Sequence, residues 1–259
     1  MDIIKKLAQE LAIKEEQAKA AVQLIDEGNT IPFIARYRKE MTGALNDETL
    51  RNLHERLLYL RNLEEKKEQV INAITEQDKM TDDLKKKILA AETLVAVDDL
   101  YRPYRPKKQT RATKAKEKGL EPLANILLLQ ATSKSMEEEA QSFVNEAKGV
   151  ANVKEALAGA KDIIAEMIAD KADYRKSIRN CTMKQGRLVV KAKDEKAESV
   201  YEMYYDFSEE LSKITGYRVL AINRGEKEKF LTVKVEAPDA QIVNALNKTM
   251  VHDNPNTKT

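Results

Sequence analysis

Apolar residues recur at helical spacing through most of this chain. Ile3, Ile4, Leu7 and Leu11 form one set, and Ala18, Ala21, Val22 and Ile25 form the next; each is the apolar stripe of a short amphipathic helix. Gly28 then supplies a left-handed helix stop, and Asn29-Thr30 followed by Pro32 reads as the capped first turn of a third helix. Asn46 or Asp47 can cap the next one. Its residues Leu50, Leu53, Leu57 and Leu60 step by 3, 4 and 3; the register runs on through Glu64 and Lys67 and turns apolar again at Ile71 and Ile74. This predicts a helix of roughly 30 residues with a charged middle. The failed heptad there favours a core-facing helix over an intermolecular coiled coil. Leu84, Ile88 and Leu89 open one further helix running towards Val95.

Pro103 and Pro106 each ask for extended backbone before them, so residues 101–106 are expected as a loop. A helix beginning at Lys114 would end at Gly119, and Pro122 suits the first turn of a helix carrying Leu123, Ile126 and Leu127. Helical signals continue through Val153, Leu157, Ile163, Ile164, Met167 and Ile168 to Ile178, with Gly149 and Gly159 open between breaks and packing positions. The pattern changes after Cys181. GRLVVKAK reads as a strand or a helix tail, YEMYYDFSEEL as helical, and Leu231, Val233 and Val235 alternate as a strand does. Residues 241–250 form a last helix, and 252–259 a polar, mobile tail. The fold class is mainly α. The expected division is a helix-turn-helix-like module at 1–45, a helical scaffold at 46–180 with a basic loop at 101–118, and a mixed α/β segment at 181–251.

Composition agrees. Eight glycines and six prolines in 259 residues are less than half the average combined usage of roughly 12%, which disfavours a turn-rich sandwich or barrel. The charged fraction of 34% is high, while 42% apolar residues suffice for a core; with no Trp and 5% aromatics that core must be aliphatic. A single cysteine, Cys181, allows no intrachain disulfide and no Cys-based zinc site. The N-terminus has no apolar signal core, and no apolar run approaches the roughly 18 residues of a membrane span. A cytoplasmic protein without membrane contact is therefore expected. The net charge of +2 conceals an uneven distribution: residues 101–118 hold eight basic residues against Glu117 alone, leaving 37 basic and 42 acidic residues elsewhere.

The sequence has no P-loop and no G-x-G-x-x-G. His54 and His252 are too few for a serine-type triad or a histidine metal site. No catalytic residue, metal, cofactor or small-molecule substrate is expected. Asp98-Asp99 beside the basic loop raises a metal-dependent nuclease as a rival reading, but adjacent carboxylates at a helix end point apart, and a cap or ion pair is the expected role. The basic loop points to nucleic acid. Arg102, Arg105, Lys107, Lys108, Arg111 and Lys114 can neutralise phosphates, Tyr101 and Tyr104 can stack on unpaired bases, and two prolines hold the loop open. The competing reading is a loop that pairs with the acidic remainder or docks on a sister domain. Arg36, Arg38 and Lys39 form a second, smaller set behind IPFIA, whose apolar part is expected to pack, with Arg36 and Tyr37 helping to seat the N-terminal helices on the long one.

Three strings carry a resemblance: GNTIPFIARYRKEMTGALNDE, DDLYRPYRPKKQTRATKAKEKGLEPLA and YYDFSEELSKITGYRVLAINRGEKE. They resemble the Tex family of bacterial transcription accessory proteins, over residues 1 to 236. The resemblance implies an elongated, mostly helical, cytoplasmic nucleic-acid-binding protein linked to transcription. In that family a helix-turn-helix-like module and helical scaffold precede an RNase H-like domain regarded as lacking nuclease activity, helix-hairpin-helix modules and an OB-fold RNA-binding domain. The present chain is expected to be the front part of such a protein. One departure stands at residues 214–218, Ile-Thr-Gly-Tyr-Arg, where the family usually has a proline-serine-histidine-arginine string; Arg218 is kept, and no histidine role carries over. The expected activity is sequence-independent binding of RNA or DNA and scaffolding in transcription. The alternative is a protein-interaction scaffold docking on RNA polymerase or on the downstream domains.

Overall fold

A computed structural model describes residues 1–106 and 108–252. The chain forms two compact units, Met1–Tyr104 and Arg105–Thr259. The described residues contain thirteen α-helices and one three-stranded sheet.

The first unit begins with α1 (Ile3–Glu10), α2 (Glu15–Asp26) and α3 (Ile31–Tyr37), followed by the long α4 (Asp47–Thr75). Asp2 caps α1 by accepting the Lys5 N–H at 3.1 Å, and Asn46 caps α4 by accepting that of Thr49 at 2.8 Å. Leu7, Ala18, Val22, Leu24 and Ile34 bury against Leu50, Leu53, Leu57 and Leu60 of α4. The first three helices and the first half of α4 thus share one core. The other half of α4 gives Leu63, Val70 and Ile74 to a second cluster with Ile88 and Val97. The α4 stripe does not break at its charged middle. Lys67 is buried, and its Nζ donates to Glu64 Oε1 and to the Leu89 carbonyl, both at 2.9 Å. A lysine stem can fill an apolar slot when its ammonium finds acceptors at the rim.

Two local expectations are corrected in this unit. The helix opening at Leu84 does not run to Val95. Ala91 is extended, the Thr93 hydroxyl accepts the Ala96 N–H at 3.2 Å, and α5 (Asp82–Ala90) and α6 (Leu94–Tyr101) are separate helices. Arg102, expected to be extended before Pro103, is right-handed helical (φ −51°, ψ −42°) and continues α6 into a 3-10 turn at Arg102–Tyr104. Tyr101 and Tyr104 pack on the second cluster, and Gln77 Nε2 donates to the Tyr104 carbonyl at 3.0 Å; tertiary anchoring overrides the local proline preference.

The second unit opens with α7 (Arg111–Glu117), α8 (Glu121–Leu129), α9 (Met136–Gln141), α10 (Val153–Asp170) and α11 (Ala172–Gln185). Ala112, Ala115, Leu123, Leu127, Ala156, Ala160 and Ile163 form its helical core. Gly159 is a packing position: a Cβ there would run into the Leu120 Cδ1 methyl, so any larger residue requires that leucine to shift. The sheet follows: the central strand β1 (Arg187–Ala192) pairs antiparallel with β2 (Asp206–Glu210) on one side and with β3 (Leu231–Glu236) on the other. The segment read as helical contains instead a 3-10 turn at Glu202–Tyr204 and the strand β2 (Asp206–Glu210). Val190 of β1 stands opposite Phe207 on one side and Val233 of β3 (Leu231–Glu236) on the other. With α12 (Gly216–Lys227) supplying Ile222, these residues close a separate small core with Tyr201, Tyr204 and Leu231. The last helix is α13 (Asp239–Met250). His252, read as the start of a mobile tail, donates its N–H to Gln130 Oε1 at 2.9 Å. Residues 253–259 lie outside the described residues.

Candidate nucleic-acid interface

In the second unit, Thr110 starts α7 by accepting the Thr113 N–H at 3.0 Å, and its hydroxyl donates to Glu166 Oε2 at 2.9 Å. Ala112 and Ala115 are the buried positions, and these short side chains let α7 lie on α10. Arg111, Lys114, Lys116 and Lys118 are left exposed. Gly119 ends the helix with φ +83°, a conformation that L side chains rarely adopt. Lys108 is exposed as well, and Lys107 lies outside the described residues. The structure adds Lys148, which spacing along the chain could not reveal: a Cβ on Gly119 would lie 3.6 Å from its Nζ.

Part of this charge is engaged. Arg111 Nε lies 3.5 Å from Asp162 Oδ1, though the arginine side chain is 87% exposed. Lys116 Nζ lies 3.5 Å from Glu121 Oε1, and Lys118 Nζ donates to the Gly149 carbonyl at 2.7 Å. Exposed pairs of this length contribute little and exchange readily. Arg105 is exposed in this unit, and Arg102 in the first. Tyr101 and Tyr104 are half-buried, with part of each ring committed to the second cluster of the first unit.

Asp98 lies 3.7 Å from Lys66 Nζ, and Asp99 is buried. Among the described residues no group of three or more His, Cys, Asp or Glu side chains is placed to hold a metal ion.

The end of α3 departs from expectation. Of IPFIARY only Ile34 is fully buried; Phe33 is 36% exposed and Tyr37 61%. Tyr37 is therefore not a packing residue between the N-terminal helices and α4. The Phe33 and Tyr37 rings meet at 5.3 Å between centroids, tilted by 46°, and the Arg38 guanidinium lies 5.0 Å over the Phe33 ring. Arg36, Arg38 and Lys39 are all exposed, and among the described residues none of them forms an ion pair.

The arginines of α4 contrast with these. Arg51 binds Asp47 at 2.6 Å. Arg56 holds Glu10 through two bonds of 2.6 and 2.9 Å, and Arg61 holds Asp26 through two of 2.7 Å. Hydrogen bonding from these guanidiniums keeps the Glu10 and Asp26 carboxyls below the ordinary carboxylate range.

Comparison with known proteins finds matches along most of the chain. A family model described as the Tex-like protein N-terminal domain matches residues 1–75, and one described as Tex central region-like matches residues 131–258. The chain is 44% identical over 248 residues to the uncharacterized protein YdcI of Bacillus subtilis, which covers 95% of this chain and 34% of that protein. It is 41% identical over 239 residues to the transcriptional accessory protein Tex of Neisseria gonorrhoeae, covering 91% of this chain and 31% of that one. A human protein, S1 RNA-binding domain-containing protein 1, is 32% identical over 248 residues, covering 92% of this chain and 24% of its own length. The chain spans about a third of the length of the bacterial relatives it matches. Two models of one family flank the basic segment, and relatives align across it at more than 40% identity: the chain belongs to the Tex family.

Proposed function

We propose that this chain binds nucleic acid without sequence preference, through the cations of the 101–118 segment, and does so as a non-catalytic, cytoplasmic scaffold in transcription. The observation that carries this reading is the exposure of Arg102, Arg105, Lys108, Arg111 and Lys114, with the Lys148 ammonium brought up beside Gly119. Cations held at the surface release counterions when they meet phosphates. The names of the relatives point the same way: one is a transcriptional accessory protein and another is an S1 RNA-binding domain-containing protein. No helix of the described residues is long and apolar enough to cross a membrane.

The test is binding of the 259-residue chain to single-stranded RNA and DNA over a range of salt, read by fluorescence anisotropy. Six phosphate contacts on a single strand give a log–log slope of roughly −4. Changing Lys107, Lys108 and Arg111 to Glu flattens that slope by roughly 2. Absence of binding at low salt refutes the reading.

A second reading, docking on a protein such as RNA polymerase, draws on a different surface. Tyr217 and Leu220 of α12 are 66% and 72% exposed, and Val200 and Met203 are more exposed still. Exposed apolar groups of this size suit a protein partner. Such an association is weakly salt-dependent and insensitive to the lysine and arginine changes.

A further inference from the structure

We propose that the exposed end of α3 is a base-stacking site for single-stranded nucleic acid. In it Tyr37 presents the ring, Phe33 and Arg38 hold that ring in place, and Arg36 and Lys39 meet the flanking phosphates. The inference rests on the nucleic-acid reading above and assigns a distinct chemical role to residues outside the 101–118 segment.

Three independent observations support it. The first is the ring. This chain has few aromatic residues and no tryptophan, and most of its tyrosines are at least partly buried: Tyr201 and Tyr204 are each 5% exposed, and Tyr217 of α12, at 66%, is the one other tyrosine as open as Tyr37. Tyr37 is 61% exposed, one turn of helix from Phe33, which contacts it at 5.3 Å. Phe33 is itself covered on one face by the Arg38 guanidinium, so the open ring of the cluster is Tyr37. A nucleobase can stack on such a ring only when its own face is free, which selects single strands over duplex.

The second is charge. Arg51, Arg56 and Arg61 of the neighbouring helix each hold a carboxylate, whereas Arg36, Arg38 and Lys39 form no ion pair among the described residues. Glu40 is the only acidic residue between positions 31 and 45. Unpaired cations around an aromatic ring match a phosphate–base–phosphate ligand rather than a purely apolar one.

The third is rigidity. Thr42 is fully buried, and its hydroxyl donates to the carbonyls of Arg38 and Lys39 at 3.3 Å. The Ala44 N–H donates to the Lys39 carbonyl at 2.7 Å, and Gln17 Nε2 donates to the carbonyls of Thr42 and Gly43 at 3.2 and 3.0 Å. The turn bearing the cations is thus fixed before any ligand arrives, which reduces the ordering cost of binding.

The experiment compares two oligomers of equal length and charge, an oligothymidylate and its abasic counterpart, against the 259-residue chain. The bases are expected to tighten binding. Tyr37→Ala weakens the oligothymidylate about ten-fold, within the range for one base on one ring, and leaves the abasic strand unchanged. Tyr37→Phe retains the wild-type difference. Arg36→Ala and Lys39→Ala weaken both strands alike. As a check that needs no substitution, irradiation of a bromouracil-containing oligomer bound to the unaltered protein cross-links to Tyr37, located by mass spectrometry of the peptides. Equal affinity for the two strands, or cross-links that avoid Tyr37, overturns the stacking site while leaving the electrostatic reading intact. Failure of both strands to bind at low salt removes both.

Discussion

The 101–118 segment carries eight cations and the end of α3 carries three, yet the two regions rank differently once their surroundings are considered. In the first, Arg111 and Lys116 lie near carboxylates, Lys118 is spent on a carbonyl, and the two tyrosines lean on a hydrophobic cluster. In the second, Arg38 also donates to a carbonyl, that of Tyr37 at 3.2 Å, but none of the three cations has a carboxylate among the described residues and the tyrosine stands open to solvent. Charge density along the chain therefore measures how much charge a region has, and tertiary pairing measures how much of it a ligand can use. Long-range steering depends on the former; a defined contact depends on the latter.

The largest expected effect separates these two quantities. Reversal of Lys107, Lys108 and Arg111 to Glu lowers affinity for single-stranded RNA at low salt by roughly two orders of magnitude, whereas reversal of Arg36, Arg38 and Lys39 lowers it by roughly one. Anisotropy titrations in low salt decide the order, and the opposite ranking would show that pairing outweighs density. Next comes the contrast between the tyrosines. Tyr104→Ala destabilises the first unit by about 2 kcal/mol, roughly half the loss for a fully buried ring, with no change in the preference for bases over abasic strands. Tyr37→Ala does the reverse. Thermal unfolding and the paired binding assay together read both.

Smaller effects test the arginines. Arg56→Ala removes a two-bond partner from Glu10 and costs about 1 kcal/mol, the upper end for half-exposed pairs, while Arg38→Ala stays within about 0.5 kcal/mol. Denaturant titration of each variant checks this. The smallest effect is pH-dependent. Glu10 and Asp26 have carboxyls held below their ordinary values by Arg56 and Arg61. Their contribution is present above the ordinary carboxylate value of about 4 and is lost as pH falls through the lower folded values. The stability gap between the wild type and an Arg56→Ala/Arg61→Ala double variant should therefore begin to narrow as pH falls below about 4 and close once both carboxyls are protonated in the folded state. A gap that persists there assigns the effect to packing of the arginine stems.

Much of the helical fold is legible along the chain. The stripes of α1, α2 and α4, the stop at Gly28, the cap at Asn46 and the alternation of β3 all report a single face that must leave water, and that requirement is local. So are the concentration of cations at 101–118 and the strings that resemble the Tex family. What only the tertiary structure decided depends on residues far apart in sequence. Residues 206–210 form a strand because β1 offers its edge to them. Lys67 occupies a core slot because Glu64 and the Leu89 carbonyl accept its protons. The tyrosines stand in surroundings opposite to those expected: Tyr101 and Tyr104 found a cluster to lean on, and Tyr37 did not. The same reason applies to charge, since periodicity tells which face of a helix is buried but not whether a carboxylate from another helix lies opposite an arginine on the exposed one.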